Sequence, residues 1–391
     1  MSTTKAAPKQ WRTLEEVKAD VLRRSAGRLS PFEAIKLEDA ERIMASLKTL
    51  DRDEWAAAWS KVGHDYEAKG DALAAQIDKN GDGNKKELAE LYGLAFDYCR
   101  MGRYPTTSTP GKKEAYKHSL RMYRKAAKYL EAPLEVVELP FGDKKLVGYL
   151  QVPPGVKKPP VVMHWGGVDG WKEDRQRASS VLHKRGIATL AIDMPGTGEN
   201  PVLYPDPSAE RTYTAFIDYI AARKDVDGSR LAVWGGSFGA YWAARLAYVE
   251  HKRLRGAVFH GGNVHIGFQK EWLAPAFTTG GATYLFGAGS LLEARGNAMG
   301  TKTVEEFIAI APQFSLKTMG LLDKPCAPIL GINGKLDDQA PVDDIYLLME
   351  HGQPKSARVY PLGHHMGRTP GMPESEITNT IVDWLAERVG A

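Results

Sequence analysis

A serine flanked by glycines is the residue in this 391-residue chain best placed to act as a nucleophile. The segment 235–239 reads Gly-Gly-Ser-Phe-Gly, follows the apolar run 231–234 and precedes a helical stretch that starts at Ala240. A G-x-S-x-G turn between a strand and a helix holds its serine in a strained conformation that exposes Oγ. The amides at the start of the helix are then directed at the reacting oxygen. The pattern therefore predicts covalent catalysis by Ser237.

A serine hydroxyl needs a base to activate it, and the base needs an acid to orient it. The acid is expected in the loop after the apolar run 329–332, where G-x-x-D spacing favours Asp337 and Asp338 is the alternative. The base is expected after the last strand, where G-x-H spacing favours His365 and His364 is the alternative. The order serine, aspartate, histidine along the chain is typical of enzymes that have this elbow.

The tetrahedral intermediate of acyl transfer needs two hydrogen-bond donors for its oxyanion. One donor is expected from the Phe238 amide, directly after the nucleophile. The loop 164–171, His-Trp-Gly-Gly-Val-Asp-Gly-Trp, predicts the second, because paired glycines let a backbone amide approach closely. We assign it to Gly167, with Val168 as the competitor. The turn 193–199, Asp-Met-Pro-Gly-Thr-Gly-Glu, is expected to support the site.

Neither a metal nor a cofactor is expected from the sequence. The segment 78–83 matches the first half of a calcium-binding EF loop, but Ala89 stands where the bidentate glutamate is required. Cys99 and Cys326 lack neighbouring ligands, and no further ligand lies at local spacing from His364 and His365. The segment 78–83 is interpreted as a polar turn between two helices.

The elements that must position these residues change in character near residue 133. Residues 1–133 show helical spacing of apolar residues with almost no strand signal, which predicts a helical N-terminal domain. Residues 134–391 alternate short apolar runs with helical stretches, which predicts a mostly parallel, doubly wound α/β sheet. The longest interruption, 263–324, is rich in aromatic residues and is interpreted as a lid-like insertion. The predicted strands lie near 136–139, 146–152, 161–164, 187–192, 231–234, 257–259, 329–332 and 358–360.

Composition excludes several classes of protein. Hydrophobic residues make up 43% and charged residues 26%, which is ordinary for a globular chain and excludes a disordered, collagen-like or membrane-bundle protein. A net charge of +4 over this length does not indicate nucleic-acid binding. The polar segment 1–10 lacks the apolar core of a signal peptide, and two cysteines cannot form a disulfide framework. A cytoplasmic enzyme with a small-molecule substrate is expected, without a nucleic-acid or membrane partner.

With these residues placed, the chain resembles the fermentation-respiration switch protein (FrsA-like) family of α/β-hydrolases. It is also similar to 2,6-dihydroxypseudooxynicotine hydrolase and to fungal pigment-pathway hydrolases. The resemblance is carried by the segments 166–171, 193–195, 244–250, 315–317 and 320–322, and by 116–127 in the helical half.

The resemblance implies an α/β-hydrolase fold, a helical domain that covers the active site, and a homodimer. It implies esterase activity on small acyl esters, which together with Ser237, His365 and Asp337 predicts a serine carboxylesterase. The aromatic insertion and the helical domain favour small apolar or aromatic esters as substrates. One alternative is carbon–carbon bond hydrolysis of a diketone or similar ketone, for which Glu271 is the only acid early in the insertion. The other is a regulatory binding protein built on the hydrolase scaffold.

Overall fold

The computed structural model describes residues 11–80, 85–278, 284–351 and 355–391, with the side chains of 78–80 left out. The chain divides into two compact units. The first comprises Met1–Pro133 and Ala282–Glu293, and the second comprises Leu134–Gly281 and Ala294–Ala391. The insertion expected at 263–324 is thus shared between the two units. The polar turn expected at 78–83 lies outside the residues whose side chains are described.

The first unit is helical, as its apolar spacing predicts. An aromatic core holds the helices together: Trp55 and Trp59 are fully buried and their rings lie 5.4 Å apart. Phe286, from the segment Ala282–Glu293, packs edge-on against Trp55 at 4.9 Å. Glu293 accepts a hydrogen bond from Arg52 at 2.8 Å. Within the described residues 11–80 and 85–133, the helices that precede the sheet are α1 (Leu14–Gly27), α2 (Leu37–Ser46), α3 (Arg52–Asn80), α4 (Lys85–Arg103) and α5 (Pro110–Ala127).

The second unit is built on one eight-stranded sheet, which confirms the predicted α/β class. The strands are β1 (Leu134–Phe141), β2 (Lys144–Gln151), β3 (Pro160–Trp165), β4 (Ala188–Ile192), β5 (Asp227–Gly236), β6 (Leu254–His260), β7 (Ile329–Gly334) and β8 (Lys355–Tyr360). They lie in the order β1-β2-β4-β3-β5-β6-β7-β8. The pairs β1–β2 and β2–β4 are antiparallel, and all pairs from β4 to β8 are parallel. The carboxyl ends of β3, β5, β6, β7 and β8 therefore share one edge of the sheet.

The central strands are buried because helices cover them. Every residue of β3, β4 and β7 is buried, as expected of parallel strands with both faces packed. Ile381 and Leu385 of the last helix are fully buried against Val162, Ala232 and Val258 of the sheet. The helices after α5 are α6 (Gln176–His183), α7 (Arg211–Ala222), α8 (Ala240–Val249), α9 (Lys270–Thr278), α10 (Ala288–Met299), α11 (Val304–Ile310), α12 (Asp343–Glu350) and α13 (Glu374–Val389).

The described part of the chain contains no helix with the length and hydropathy needed to cross a bilayer.

Candidate active site

The nucleophile elbow forms where β5 ends. Ser237 has φ +54°, in the left-handed region that side-chain-bearing residues avoid. The chain then makes one short 3₁₀ turn, 237–239, and enters α8. Only glycine fits on either side, because a Cβ at Gly235 would lie 2.4 Å from the Gly239 carbonyl oxygen. A Cβ at Gly239 would lie 2.0 Å from the Gly166 carbonyl oxygen. The strain is therefore enforced by close backbone packing around Ser237.

Three of the predicted residues come together at the carboxyl edge of the sheet. Ser237 Oγ lies 2.8 Å from His365 Nε2. His365 Nδ1 lies 2.8 Å from Asp337 Oδ2. With Nδ1 protonated, the imidazole donates to the carboxylate and its Nε2 lone pair accepts from the serine hydroxyl. This arrangement can take a proton from Ser237 and return it to a leaving group.

The Asp337 carboxylate is buried and held by its own loop. Its Oδ1 accepts from the Gln339 amide at 2.8 Å and from the Ala340 amide at 3.2 Å. Burial acts to raise the pKa of Asp337, but His365, the Gln339 amide and Asn333 outweigh it, so the pKa lies below its ordinary value. The carboxylate stays ionised at neutral pH, as its role toward His365 requires.

Asp338 and His364, the alternatives for the acid and the base, do not occupy the positions of Asp337 and His365 in this arrangement. His364 donates its backbone amide to Arg368 at 2.8 Å, and it is His365 whose ring reaches Ser237. Asp338 is half-buried, and it is Asp337 that meets the imidazole. The geometry therefore pairs Ser237 with His365 and Asp337.

The loop 164–171 reaches the elbow from β3. A Cβ at Gly167 would lie 2.8 Å from Ser237 Cβ and 3.0 Å from the Phe238 nitrogen, so its backbone lies directly against the serine. Trp165 Nε1 donates to the Gly239 carbonyl at 2.8 Å and ties the loop to the 3₁₀ turn 237–239. Among the described residues, the amides of Gly167 and Val168 have no hydrogen-bond acceptor. Both are thus available to an oxyanion, and the choice between them stays a prediction.

Asn333 is a site residue that the sequence analysis missed. It lies near the end of β7, where its Nδ2 donates to the Ala340 carbonyl at 3.0 Å and its Oδ1 accepts from the Met366 amide at 3.0 Å. One buried side chain therefore joins the loop of the acid to the loop of the base. Its only sequence signal is a polar residue within an otherwise apolar buried strand.

His260 supports the base loop from the neighbouring strand. Its Nε2 lies 2.9 Å from the Met366 carbonyl oxygen, and Trp234 Nε1 donates to its Nδ1 at 3.4 Å. Burial lowers the pKa of His260 to about 3, so the ring is neutral. A neutral ring with Nδ1 accepting must carry its proton on Nε2, which then donates to Met366. This contact holds the residue next to His365.

A buried ion cluster links the loop 164–171 to the turn 193–199. Lys172 is fully buried, and its Nζ lies 2.8 Å from Asp193, 2.8 Å from Glu199 and 2.6 Å from Glu173. Asp193 also accepts from the Lys172 amide at 2.9 Å and from the Glu199 amide at 2.9 Å. Burial raises the pKa of Glu173 to about 7. These contacts tie the turn to the chain directly after the loop 164–171, and Lys172 was not among the residues predicted from the sequence.

Aromatic side chains from the insertion pack beside the elbow. Phe268 lies edge-on to Phe238 at 6.2 Å and to Tyr241 at 5.4 Å. Phe314 packs on Tyr241 at 5.6 Å. Arg295 is also buried here, 5.9 Å from the Phe238 ring, and donates to the Gln339 carbonyl at 2.9 Å. The surroundings of Ser237 in this unit are therefore largely aromatic.

The start of the insertion is fastened by one carboxylate. Asp344, at the beginning of α12, accepts four backbone N–H groups at 2.8–3.1 Å, from Val264, His265, Ile266 and Gly267. Burial raises the pKa of Asp344 to about 6, although these donors act to lower it. The carboxylate is ionised at pH 8 and holds the chain just after β6.

Asp344→Asn is expected to destabilise the fold by about 3 kcal/mol, because an amide nitrogen would face two of the buried N–H donors and leave them unsatisfied. Thermal and urea unfolding at pH 8 measure the change. Asp343→Asn alters the exposed neighbour and serves as the control. An Asp344→Asn protein as stable as the control would show that the carboxylate does not fasten this segment.

Asp337→Asn is expected to lower kcat for ester hydrolysis by about 10⁴-fold, because the amide favours the wrong imidazole tautomer. Asp338→Asn, one residue away, should retain nearly full activity. Steady-state kinetics on a p-nitrophenyl ester compares the two. If Asp338→Asn lost more activity than Asp337→Asn, the acid would be reassigned.

A family model described as "Esterase FrsA-like" matches residues 40–368 of the chain. Esterase FrsA of Yersinia pestis (strain Pestoides F) is 30% identical over 234 residues, which is 59% of this chain and 54% of the relative. Esterase FrsA of Yersinia pseudotuberculosis serotype O:1b (strain IP 31758) matches to the same extent. The match thus spans about half the length of these curated relatives.

Two solved structures are similar over nearly the whole chain. The crystal structure of 2,6-dihydroxy-pseudo-oxynicotine hydrolase has a TM-score of 0.75 at 20% identity, covering 91% of this chain and 94% of that one. Wild-type AbyA5 has a TM-score of 0.73 at 19% identity, covering 96% of this chain and 95% of that one. These likenesses show the α/β-hydrolase fold. The predicted resemblance to the FrsA-like family is confirmed by the family model, and the predicted resemblance to 2,6-dihydroxypseudooxynicotine hydrolase is confirmed by the solved structure.

Proposed function

Because the chain belongs to the FrsA-like esterase family, we propose that it is a carboxylesterase that uses Ser237, His365 and Asp337. One observation carries the proposal: a strained serine at the elbow has its Oγ 2.8 Å from an imidazole nitrogen, and a buried carboxylate lies 2.8 Å from the other ring nitrogen. A scaffold that only binds a partner does not need a serine with φ +54°.

The proposed reaction proceeds through an acyl-enzyme. Ser237 Oγ bonds to the ester carbonyl carbon as His365 Nε2 takes the hydroxyl proton, and the carbonyl electron pair moves onto oxygen. The amides of Phe238 and Gly167 stabilise that oxyanion by about 3 kcal/mol each. The intermediate collapses, the carbon–oxygen bond to the alcohol breaks, and His365 protonates the alcohol. Water then repeats the sequence and releases the acid.

The proposed substrate class is a small apolar or aromatic ester. Phe238, Phe268, Tyr241 and Phe314 place aromatic rings beside the elbow. Such rings bury apolar groups at little cost in conformational freedom and exclude water from the reacting carbonyl. This favours uncharged substrates of modest size over long polar ones.

Carbon–carbon hydrolysis has no specific observation in its favour. Glu271, the acid that the sequence analysis considered for it, is exposed in the first turn of α9. An assisting acid in that reaction would have to reach the substrate next to Ser237. Ester hydrolysis needs no such residue and remains the proposed activity.

The test uses a fluorophosphonate probe and a panel of p-nitrophenyl esters of increasing acyl length. We expect stoichiometric labelling at Ser237, located by peptide mass spectrometry, and hydrolysis that favours short and medium acyl chains. A folded protein that neither reacts with the probe nor hydrolyses any ester would instead favour the regulatory binding role. The homodimer and the cytoplasmic location stay predictions.

A further inference from the structure

Three helices of the first unit bring one thiol and two imidazoles to a single point. His64 lies on α3, Cys99 on α4 and His118 on α5, and one ligand atom of each lies within 4.8 Å of the others. We propose that this His–Cys–His cluster binds a divalent zinc-type cation, as a second site independent of Ser237. Metal sites in helical bundles are commonly built from side chains on facing helices.

The donor atoms suit zinc in kind and in spacing. Zinc prefers imidazole nitrogen and thiolate sulfur in tetrahedral geometry. Two nitrogens bound to one zinc ion at the usual bond length lie about 3.3 Å apart. His64 Nε2 and His118 Nδ1 are 3.2 Å apart. Three protein donors leave the fourth position for a solvent molecule.

The ring of His118 is oriented as a metal-binding histidine commonly is. Its Nε2 lies 2.6 Å from a Glu67 carboxylate oxygen, and Glu67 is itself paired with Lys125 at 3.0 Å. A carboxylate at one ring nitrogen holds the proton there and leaves the other lone pair for a metal.

Cys99 lies at the buried side of the cluster, and His64 at its exposed side. A Cβ at Gly63 would lie 2.5 Å from the Cys99 sulfur, so a glycine on α3 makes room for the thiol. Metal binding by Cys99 replaces the thiol proton, so it releases a proton to solvent. The exposed His64 provides the entry from solvent.

Arg121 competes with the ion for His118. Its Nη2 lies 2.5 Å from His118 Nδ1, the lone pair that would bind the metal. The arginine is exposed on α5 and can turn into solvent, but its charge opposes a cation. We therefore expect that replacing Arg121 with an uncharged residue strengthens metal binding.

The sequence alone does not reveal this site, because its three ligands lie on separate helices and not at the local spacing of a zinc motif. His64 and His118 are 54 residues apart in the chain. Only the packing of α3, α4 and α5 brings them together.

The test titrates the metal-stripped full-length protein with Co²⁺, which reports on thiolate ligation by a charge-transfer band and on tetrahedral geometry by its visible bands. We expect one Co²⁺ per chain and displacement by Zn²⁺. His64→Ala and His118→Ala should each weaken binding by about tenfold or more, and Glu67→Gln by about 10–100-fold. His351→Ala and Cys326→Ser serve as matched controls and should bind as the parent does.

Cys99→Ser should abolish the charge-transfer band. Because Cys99 is buried, this variant could unfold. In that case the metal affinity of His64→Ala, a change at an exposed residue, decides whether the cluster binds the metal. Arg121→Gln should tighten binding at least severalfold. Ester hydrolysis should be unchanged in His64→Ala, which separates this site from the proposed activity. The proposal is overturned if the parent shows no thiolate–cobalt band, or if the band and the affinity persist in both histidine variants.

Discussion

Ser237→Ala is expected to lower kcat/KM for p-nitrophenyl ester hydrolysis by about 10³-fold or more while the protein stays folded. The hydroxyl is the atom that forms the acyl bond, so only the oxyanion donors and substrate binding remain to accelerate the reaction. Alanine keeps the Cβ and removes one atom, Oγ, at the end of β5. The variant should therefore unfold at or above the parent's temperature, because it also removes a polar group from a strained turn.

The matched control is Ser180→Ala, which removes an exposed hydroxyl on α6. This hydroxyl donates to the Gln176 carbonyl at 3.0 Å and accepts from Gln176 Nε2 at 3.3 Å, so both contacts are local. It should keep full activity and full fluorophosphonate labelling, whereas Ser237→Ala should lose both. Retention of the parent's kcat in purified Ser237→Ala would remove Ser237 from the mechanism. A matching loss in both variants would point to inactivation during preparation and not to the missing Ser237 hydroxyl.

The elements around Ser237 were predictable because their signals are local. The run 231–234 is apolar, glycines follow it, and the structure places β5 at Asp227–Gly236 with the turn directly after it. The strands in the structure differ from the predicted apolar runs mainly at their ends. Backbone pairing between neighbouring strands, such as Leu231 with Leu254, extends a strand beyond its apolar centre.

The ends of the helices in the first unit were harder to predict from the spacing of apolar residues. Apolar spacing continues from Ile43 to Trp59, yet α2 ends at Ser46 and α3 begins at Arg52. Asp51 causes the break, because its carboxylate accepts from the amides of Asp53 and Glu54 at 2.9 Å each. A capping aspartate is a local signal, and it outweighs a hydrophobic period that spans it.

The residues missed at the site act through partners distant in the chain. Asn333 joins Ala340 to Met366, and Lys172 joins the loop after β3 to the turn after β4. In the sequence such a residue is visible only as a polar side chain among apolar ones. Its hydrogen-bond or ion-pair partner lies far along the chain and cannot be identified from the sequence. The pairing becomes visible when parallel strands bring their carboxyl ends to one edge.

His365→Ala is expected to lower kcat/KM by about 10³-fold or more, whereas His364→Ala should lower it by less than tenfold. His365 Nε2 is the acceptor 2.8 Å from Ser237 Oγ, so its loss leaves the serine without a base. Met366, with φ +63°, follows it and is held by Asn333 and His260, so the loop keeps its backbone when the ring is removed. Steady-state kinetics and thermal unfolding of both variants give the comparison.

His364→Ala is the matched control because it removes an adjacent imidazole of the same size from the same loop. Equal losses would indicate that the loop as a whole had shifted, and a larger loss at His364 would exchange the two roles.

Fluorophosphonate labelling separates a loss of chemistry from a loss of packing. His365→Ala should also lose this labelling, since the serine is then unactivated. Asp337→Asn should reduce labelling for the same reason, because a misoriented imidazole accepts the proton poorly. If the probe still labelled His365→Ala at the parent's rate, another group would be activating Ser237. The contacts from Ser237 through His365 to Asp337 would then stabilise the fold without taking part in the reaction.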